Sequence, residues 1–338
     1  MSPKVLLARL RLDPYIAAIV GMVVLASLLP ATGDAAHWVG RVTTAAIALL
    51  FFLYGARLSR EAVVAGLTNW RLQLTVFAST YGVFPVLGLL FSAVLKPWLG
   101  PEIAAGLLYL SLLPSTVQSS IAFTSIARGN VAAAICSASF SNLIGVVLTP
   151  LLVGALMSAH GGISADAVRD IALQLFLPFL LGQAVRRWVG PWITRHKQLT
   201  GYVDRGSILL VVYSAFSEGV NAGLWHQVDA KSLAGMLVAS LVLLAIVLVL
   251  TTVGSRALGF NTADEIAIVF CGSKKSLASG LPMANILFAG QAVGLIVLPL
   301  MLFHQVQLMA CAAIARRYAT RPEAPDTLPL PGGSQPGR

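Results

Sequence analysis

The chain has 338 residues, of which 57% are hydrophobic and 11% charged, with a mean hydropathy of +0.83 and a formal net charge of +10. A water-soluble domain carries roughly 25% charged residues, so most of this surface faces something other than water. The basic excess is not a nucleic-acid signature, because the cations sit at the ends of apolar runs and no nucleic-acid motif occurs.

Ten apolar segments follow one another along the chain, at 14–31, 37–57, 70–95, 101–127, 131–157, 167–188, 202–220, 231–257, 263–288 and 291–315. Each is about as long as the roughly 20 residues that span a bilayer as a helix. They are continuous rather than alternating, which excludes a β-barrel. The predicted fold class is therefore all-α and polytopic. The first segment has the look of a signal peptide, but it is read here as a retained helix because the repeat described below needs it. Cys136, Cys271 and Cys311 lie in apolar runs without CxxC spacing and are read as packing residues.

Two segments are interrupted. The fourth breaks at Leu113-Pro114-Ser115-Thr116 and the ninth at Gly272-Ser273-Lys274. In lipid such breaks survive only where protein or a water-filled cavity satisfies the freed backbone groups. The two halves also echo each other. Glu102-Ile103-Ala104 opens segment four and Glu265-Ile266-Ala267 opens segment nine. Each reaches a break about ten residues later. Each second stretch ends in a glycine turn, Arg128-Gly129-Asn130 or Ala289-Gly290-Gln291. Five segments per half is an odd number, so the halves insert with opposite orientation. Paired interrupted segments in inverted halves are the best sequence pointer to a transporter's binding site. The expected repeats are 14–157 and 167–317, flanked by a cytoplasmic N-terminus at 1–13 and a disordered Pro- and Gly-rich tail at 320–338.

Of the 23 lysines and arginines, Arg41, Lys96, Arg169 and Lys231 fall at outer ends if the N-terminus is inside. Lys274 and Lys275 lie mid-span, and all the others fall at inner ends. This bias predicts both termini in the cytoplasm. A charge at mid-bilayer depth costs on the order of 3 kcal/mol or more, so the two lysines are candidate functional residues.

The polar residues at the breaks complete the candidate site: Ser115, Thr116, Gln118, Ser119 and Ser120 on one side, and Gly272, Ser273, Lys274, Lys275 and Ser276 on the other. Asn142 is the preferred residue among Ser137, Ser139, Ser141 and Asn142 of the next helix. His304, beside Gln305 in segment ten, is read as a packing residue with a proton relay as the alternative. Glu102 and Glu265 complement the dipoles of their half-helices, and Asp204 and Glu218 are read as interface charges.

At these segments the chain resembles the bile acid:sodium symporter family, and within it the subfamily of the seventh human member of solute carrier family ten. Pro101-Glu102-Ile103-Ala104-Ala105-Gly106, Pro114 to Ser120, Leu148-Thr149-Pro150, Gly272 to Ala278, Pro282-Met283 and Phe303-His304-Gln305 carry the resemblance. It implies ten helices, with a core domain of helices 3–5 and 8–10 (70–157 and 231–317) and a panel domain of helices 1, 2, 6 and 7 (14–57 and 167–220). It also implies a small organic anion as substrate and alternating access as mechanism.

Sodium-coupled relatives hold their ion with a glutamate and a glutamine in segment nine, hydroxyls in segment five and a glutamine in segment three. Alignment places Phe270 and Lys274, Ala134 and Ala138, and Thr80 at those positions. The carboxylate is gone and a cation has been added. Lys274 is therefore expected to replace the sodium ion beside the half-helix carbonyls. Burial favours a neutral lysine, so a proton is the alternative coupling ion. No other cofactor is expected. A membrane enzyme is set aside because no span holds a spaced aspartate pair or a Ser/His/Asp set. A regulator that kept the fold and lost transport remains the second alternative.

Overall fold

The computed structural model describes residues 14–57, 69–157, 172–221, 223–289 and 291–321. The expected N-terminal segment 1–13, Gly290 of the second glycine turn and all but the first two residues of the expected tail lie outside them. Among the described residues every regular element is helical. Five helices are long and apolar enough to cross a membrane: Gly33–Arg57, Trp70–Leu99, Val131–Met157, Ala230–Ala257 and Val293–Ala319.

In chain order the helices are α1 (Pro14–Leu28), α2 (Gly33–Arg57), α3 (Trp70–Leu99, with a π turn at Ser79–Val83), α4 (Pro101–Ser111), α5 (Gln118–Ile126) and α6 (Val131–Met157). They continue with α7 (Leu177–Arg195, entered through a π turn at Ala172–Phe176), α8 (Lys197–Asn221), the short α9 (Leu224–Gln227), α10 (Ala230–Ala257), α11 (Thr262–Gly272), α12 (Leu277–Leu287) and α13 (Val293–Ala319).

The boundaries follow local chemistry. Gly100 ends α3 at φ +84°, a left-handed value that glycine adopts without strain, and Pro101 then opens α4. Asn261 caps α11 by accepting from the Asp264 N–H, and Asp229 caps α10 through Ser232. Two helices outrun the apolar pattern furthest. α7 continues beyond 188 to Arg195, and α8 starts at Lys197 rather than 202. A helix needs apolar residues only while it is in hydrocarbon. The end of α7 carries Arg186, Arg187, Trp188, Trp192 and Arg195, with both tryptophans exposed, as at a membrane–water interface.

The helices pack in two sets. α1, α2, α7 and α8 lie against one another, with α2 along α7 as the most extensive pairing, while α3 to α6 and α10 to α13 pack together. α8 touches α12 and α13 across the seam. Small residues allow the close approaches. A Cβ on Gly55 would collide with the Phe179 carbonyl, and one on Gly182 with the Phe52 carbonyl. The two crossing helices thus trade glycines for each other's backbone. In the turn between α5 and α6, Gly129 is needed because Ile266 occupies the space a Cβ would take. The left-handed residue there is its neighbour Arg128, at φ 56°.

Ion pairs tie the helix ends. Arg57 of α2 bonds Asp204 of α8. Glu265 does more than complement a helix dipole: both its oxygens accept from Arg256, at 2.8 and 2.9 Å, and Tyr318 donates to it at 2.7 Å. Replacing Gly182 with alanine should force α7 off α2. Over-packing of this kind costs about 1–3 kcal/mol, read as a lower thermal midpoint of the purified protein. Gly21→Ala, which meets nothing within 4 Å, should leave the midpoint unchanged.

Candidate functional site

The two breaks meet. α4 stops at Ser111, and residues 112–117 run non-helically to α5; α11 stops at Gly272, and residues 273–276 lead to α12. Pro114 has no N–H to continue α4. Each break frees carbonyls, and in lipid these have no water to bond.

Lys275 takes two of them and a third carbonyl from α3. Its ammonium, wholly buried, donates to the carbonyls of Thr80 at 2.8 Å, Ser111 at 2.8 Å and Leu113 at 2.7 Å. Three N–H groups are all that an ammonium has. The Phe84 ring lies 4.1 Å from the same nitrogen. The Thr80 carbonyl is available for a local reason. In the π turn the Phe84 N–H donates to Ser79, one residue earlier than an α-helix would have it. The next residue, Pro85, has no N–H to offer Thr80.

Serines receive the end of α11. The carbonyls of Phe270, Cys271 and Gly272 accept from Ser120 Oγ (2.8 Å), Ser115 Oγ and Ser79 Oγ (2.9 Å) respectively. Across the break in the other direction, the Ser276 N–H donates to the Pro114 carbonyl at 2.8 Å, and Thr149 Oγ1 donates to Leu112 at 2.8 Å. Asn142 stitches both breaks together. Its Nδ2 donates to the Ser115 carbonyl at 2.6 Å, and its Oδ1 accepts from Ser279 Oγ at 2.8 Å. Ser141 supplies a hydroxyl to the Ser115 N–H at 3.0 Å, and Tyr81 holds the Ser141 carbonyl at 2.7 Å.

Gln307 of α13 pairs with the main chain of Lys275 in both directions. It accepts the Lys275 N–H at Oε1 and donates from Nε2 to the Lys275 carbonyl, each at 2.9 Å. Nε2 also lies 2.9 Å from His304 Nδ1. Because the amide nitrogen can only donate, His304 Nδ1 is the acceptor here. Its partner is structural, which favours the packing reading of His304.

Lys274 is different. It too is wholly buried, yet its ammonium has no hydrogen-bond partner. It lies over two rings, 4.1 Å from the centre of Phe123 and 5.2 Å from Phe270. A desolvated contact of this type contributes about 2 kcal/mol, less than burying an unpaired charge costs. The lysine that sits on the half-helix carbonyls is therefore Lys275, not Lys274 as the alignment led one to expect. The physical reason is the chain direction at the break, which sends adjacent side chains opposite ways.

Of the other residues expected at the site, Thr116, Ser119 and Ser120 bond one another through their hydroxyls, with Thr116 Oγ1 at 2.6 Å from Ser119 Oγ and 3.1 Å from Ser120 Oγ. Ser276 caps α12 through Ser279. Ser273 turns back onto the Val269 carbonyl of its own helix. Gln118 is exposed at the head of α5 and stands outside this network. At the degenerate ion positions, Ala134 and Ala138 are buried without side-chain oxygens, and the Thr80 hydroxyl bonds Val76 of its own helix. Sequence reasoning passed over Ser141 in favour of Asn142 and missed Ser79, Tyr81, Thr149 and Gln307 as members of the junction. Gln307 had a readable signal, three residues after His304 and so on the same helix face.

The family model described as the SBF-like CPA transporter family matches residues 13–320. The provisionally named symporter YfeH of Escherichia coli K12 is 56% identical over 313 residues, covering 92% of this chain and 94% of its own. Sodium/bile acid cotransporter 7-B of Xenopus laevis is 32% identical over 321 residues, covering 90% and 91%. Sodium/bile acid cotransporter 7 of Rattus norvegicus is 31% identical over 318 residues, covering 90% and 92%.

Gln307→Leu should orphan both main-chain groups of Lys275. At about 1–3 kcal/mol for each buried unsatisfied group, the variant should show a clearly lower thermal midpoint. Gln118→Ala should leave the midpoint unchanged.

Proposed function

The chain belongs to the SBF-like CPA transporter family, and on that premise we propose that it is a secondary transporter of an organic anion in which a lysine ammonium stands in for a bound metal cation. One observation carries this reading: the Lys275 ammonium rests on three main-chain carbonyls at the junction of two broken helices. Carbonyls at such helix ends are what coordinates sodium in transporters built this way, and a three-donor ammonium satisfies the same oxygens.

The architecture we propose has ten spanning helices in two inverted five-helix repeats, with both termini cytoplasmic in a bacterial inner membrane. In it, α3 to α6 and α10 to α13 form the core, and α1, α2, α7 and α8 form the panel. Substrate binds between them, and one domain moves against the other to alternate access. The polar groups bordering the substrate path are those of Ser115, Thr116, Ser119, Ser120, Asn142, Ser276 and Lys274. The uncompensated charge of Lys274 suits an anion.

A second reading, coupling to protons, is favoured by the same unpartnered Lys274 ammonium. An amine that can lose its proton without breaking a hydrogen bond is free to cycle. It predicts transport into proteoliposomes that changes with pH through Lys274. A flat pH profile would remove it.

The ion-replacement reading is tested by thermal unfolding in sodium against potassium at equal ionic strength. The wild-type protein should unfold at the same temperature in both. A ligand at 100 times its Kd adds about 2.7 kcal/mol, so a sodium-specific rise would be visible and would overturn the proposal. Lys275→Ala should lower the midpoint by orphaning three carbonyls, and added monovalent cation should restore part of it. Counterflow of organic anions in proteoliposomes separates a transporter from a regulator that shares the fold.

A further inference from the structure

A long groove runs between α3 and α10 on the outside of the helix pack. Its volume is about 460 Å³. One wall is the stripe Arg71, Leu74, Ala78 and Val83, and the other is Leu250, Gly254 and Leu258. From 71 to 83 is twelve residues, so the groove is roughly 18 Å long at 1.5 Å per residue. Half the hydrocarbon thickness of a bilayer is roughly 15 Å. A groove of this length is about as deep as one leaflet.

Its floor is made apolar by design of its hydroxyls. Thr75, Ser79, Thr251 and Ser255 all line it, and each turns its oxygen onto a main-chain carbonyl: Arg71, Gly272, Val247 and Thr252 respectively. What remains facing the groove is methyl and methylene surface. Gly254 leaves its wall open, since a Cβ there would meet nothing within 4 Å. The mouth is of another character. Trp70 is 63% exposed there. The Arg71 guanidinium is held in place by the Leu258 carbonyl at 3.0 Å and by the Phe260 ring at 5.5 Å, and Arg71 remains exposed. Among the described residues no acidic side chain lines the groove. A cation at the mouth, an aromatic residue beside it and an apolar channel one leaflet deep match the two ends of one molecule.

We infer that this groove holds one acyl chain of an anionic phospholipid whose headgroup phosphate pairs with Arg71. The site lies apart from the broken-helix junction but touches its outer wall. Ser79 forms the groove floor and bonds Gly272, and a Cβ on Gly272 would stand 3.2 Å from both Ser79 and Thr251. A chain in the groove therefore braces α3 and α10 around the end of α11.

The test uses the full-length protein in detergent, with phosphatidylglycerol or phosphatidylcholine of identical chains added. Thermal midpoint and native mass spectrometry are the two readouts. The wild type should be stabilised more by phosphatidylglycerol and retain more of it. Arg71→Ala should weaken phosphatidylglycerol binding about fivefold to tenfold, as loss of one basic contact with an anionic lipid does, and erase the difference between the lipids. Arg71→Lys should keep the preference. Gly254→Leu should cut the response to both lipids without lowering the lipid-free midpoint, which keeps the inference testable if Arg71→Ala fails to fold. Equal responses of the wild type to both lipids, a preference that survives Arg71→Ala, or a shift reproduced by inorganic phosphate alone would each overturn it.

Discussion

The structure depends on one constraint: a helix broken inside a membrane must find partners for its freed carbonyls in protein, because no water is there to take them. Here two broken helices solve the problem for each other. The end of α4 is covered by Lys275 and Ser276 from the second break, together with Thr149 and Asn142 of α6. The end of α11 is covered by Ser115 and Ser120 from the first break, together with Ser79 of α3. Neither break is stable without the other. The junction therefore fixes the relative position of α3, α4, α6, α11 and α13 more tightly than apolar packing alone would, since lipid tails compete with apolar side chains but not with these donors.

Two adjacent lysines divide the electrostatic work. Lys275 is fully bonded and offsets the negative end of α4. Lys274 points the other way, into a shell of Phe123 and Phe270. A tethered ammonium cannot be exchanged between the two sides of a membrane. On the proposed reading it would take over the part of an ion's role that holds the junction together, and not the part that supplies energy from a gradient. That division leaves Lys274 as the buried ammonium without a hydrogen-bond partner.

The periphery follows the same logic of backbone and small residues. Gly55 and Gly182 let α2 and α7 touch main chain to main chain. Gly254 opens the outward groove on α10, and the π turn of α3 both shapes that groove and frees the Thr80 carbonyl for Lys275. A single local feature, a proline at 85 following a widened turn, thus serves both the inner junction and the outer surface.

The amino-acid sequence by itself determined the class and the places where two helices break. Composition and hydropathy mark a membrane protein, and Pro114 ends a helix through local backbone chemistry that no tertiary contact has to supply. It also marked most of the polar residues at the junction, because polar groups in apolar runs are costly unless satisfied. Only the tertiary structure decided which lysine meets which carbonyls. Adjacent residues leave a break in directions set by its dihedral angles, so the assignment of Lys275 over Lys274 is not contained in spacing or alignment. The roles of Ser79, Thr149 and Gln307 were hidden for the same reason: each lies in a long helix, and its partner is far away in the chain and near only in the fold.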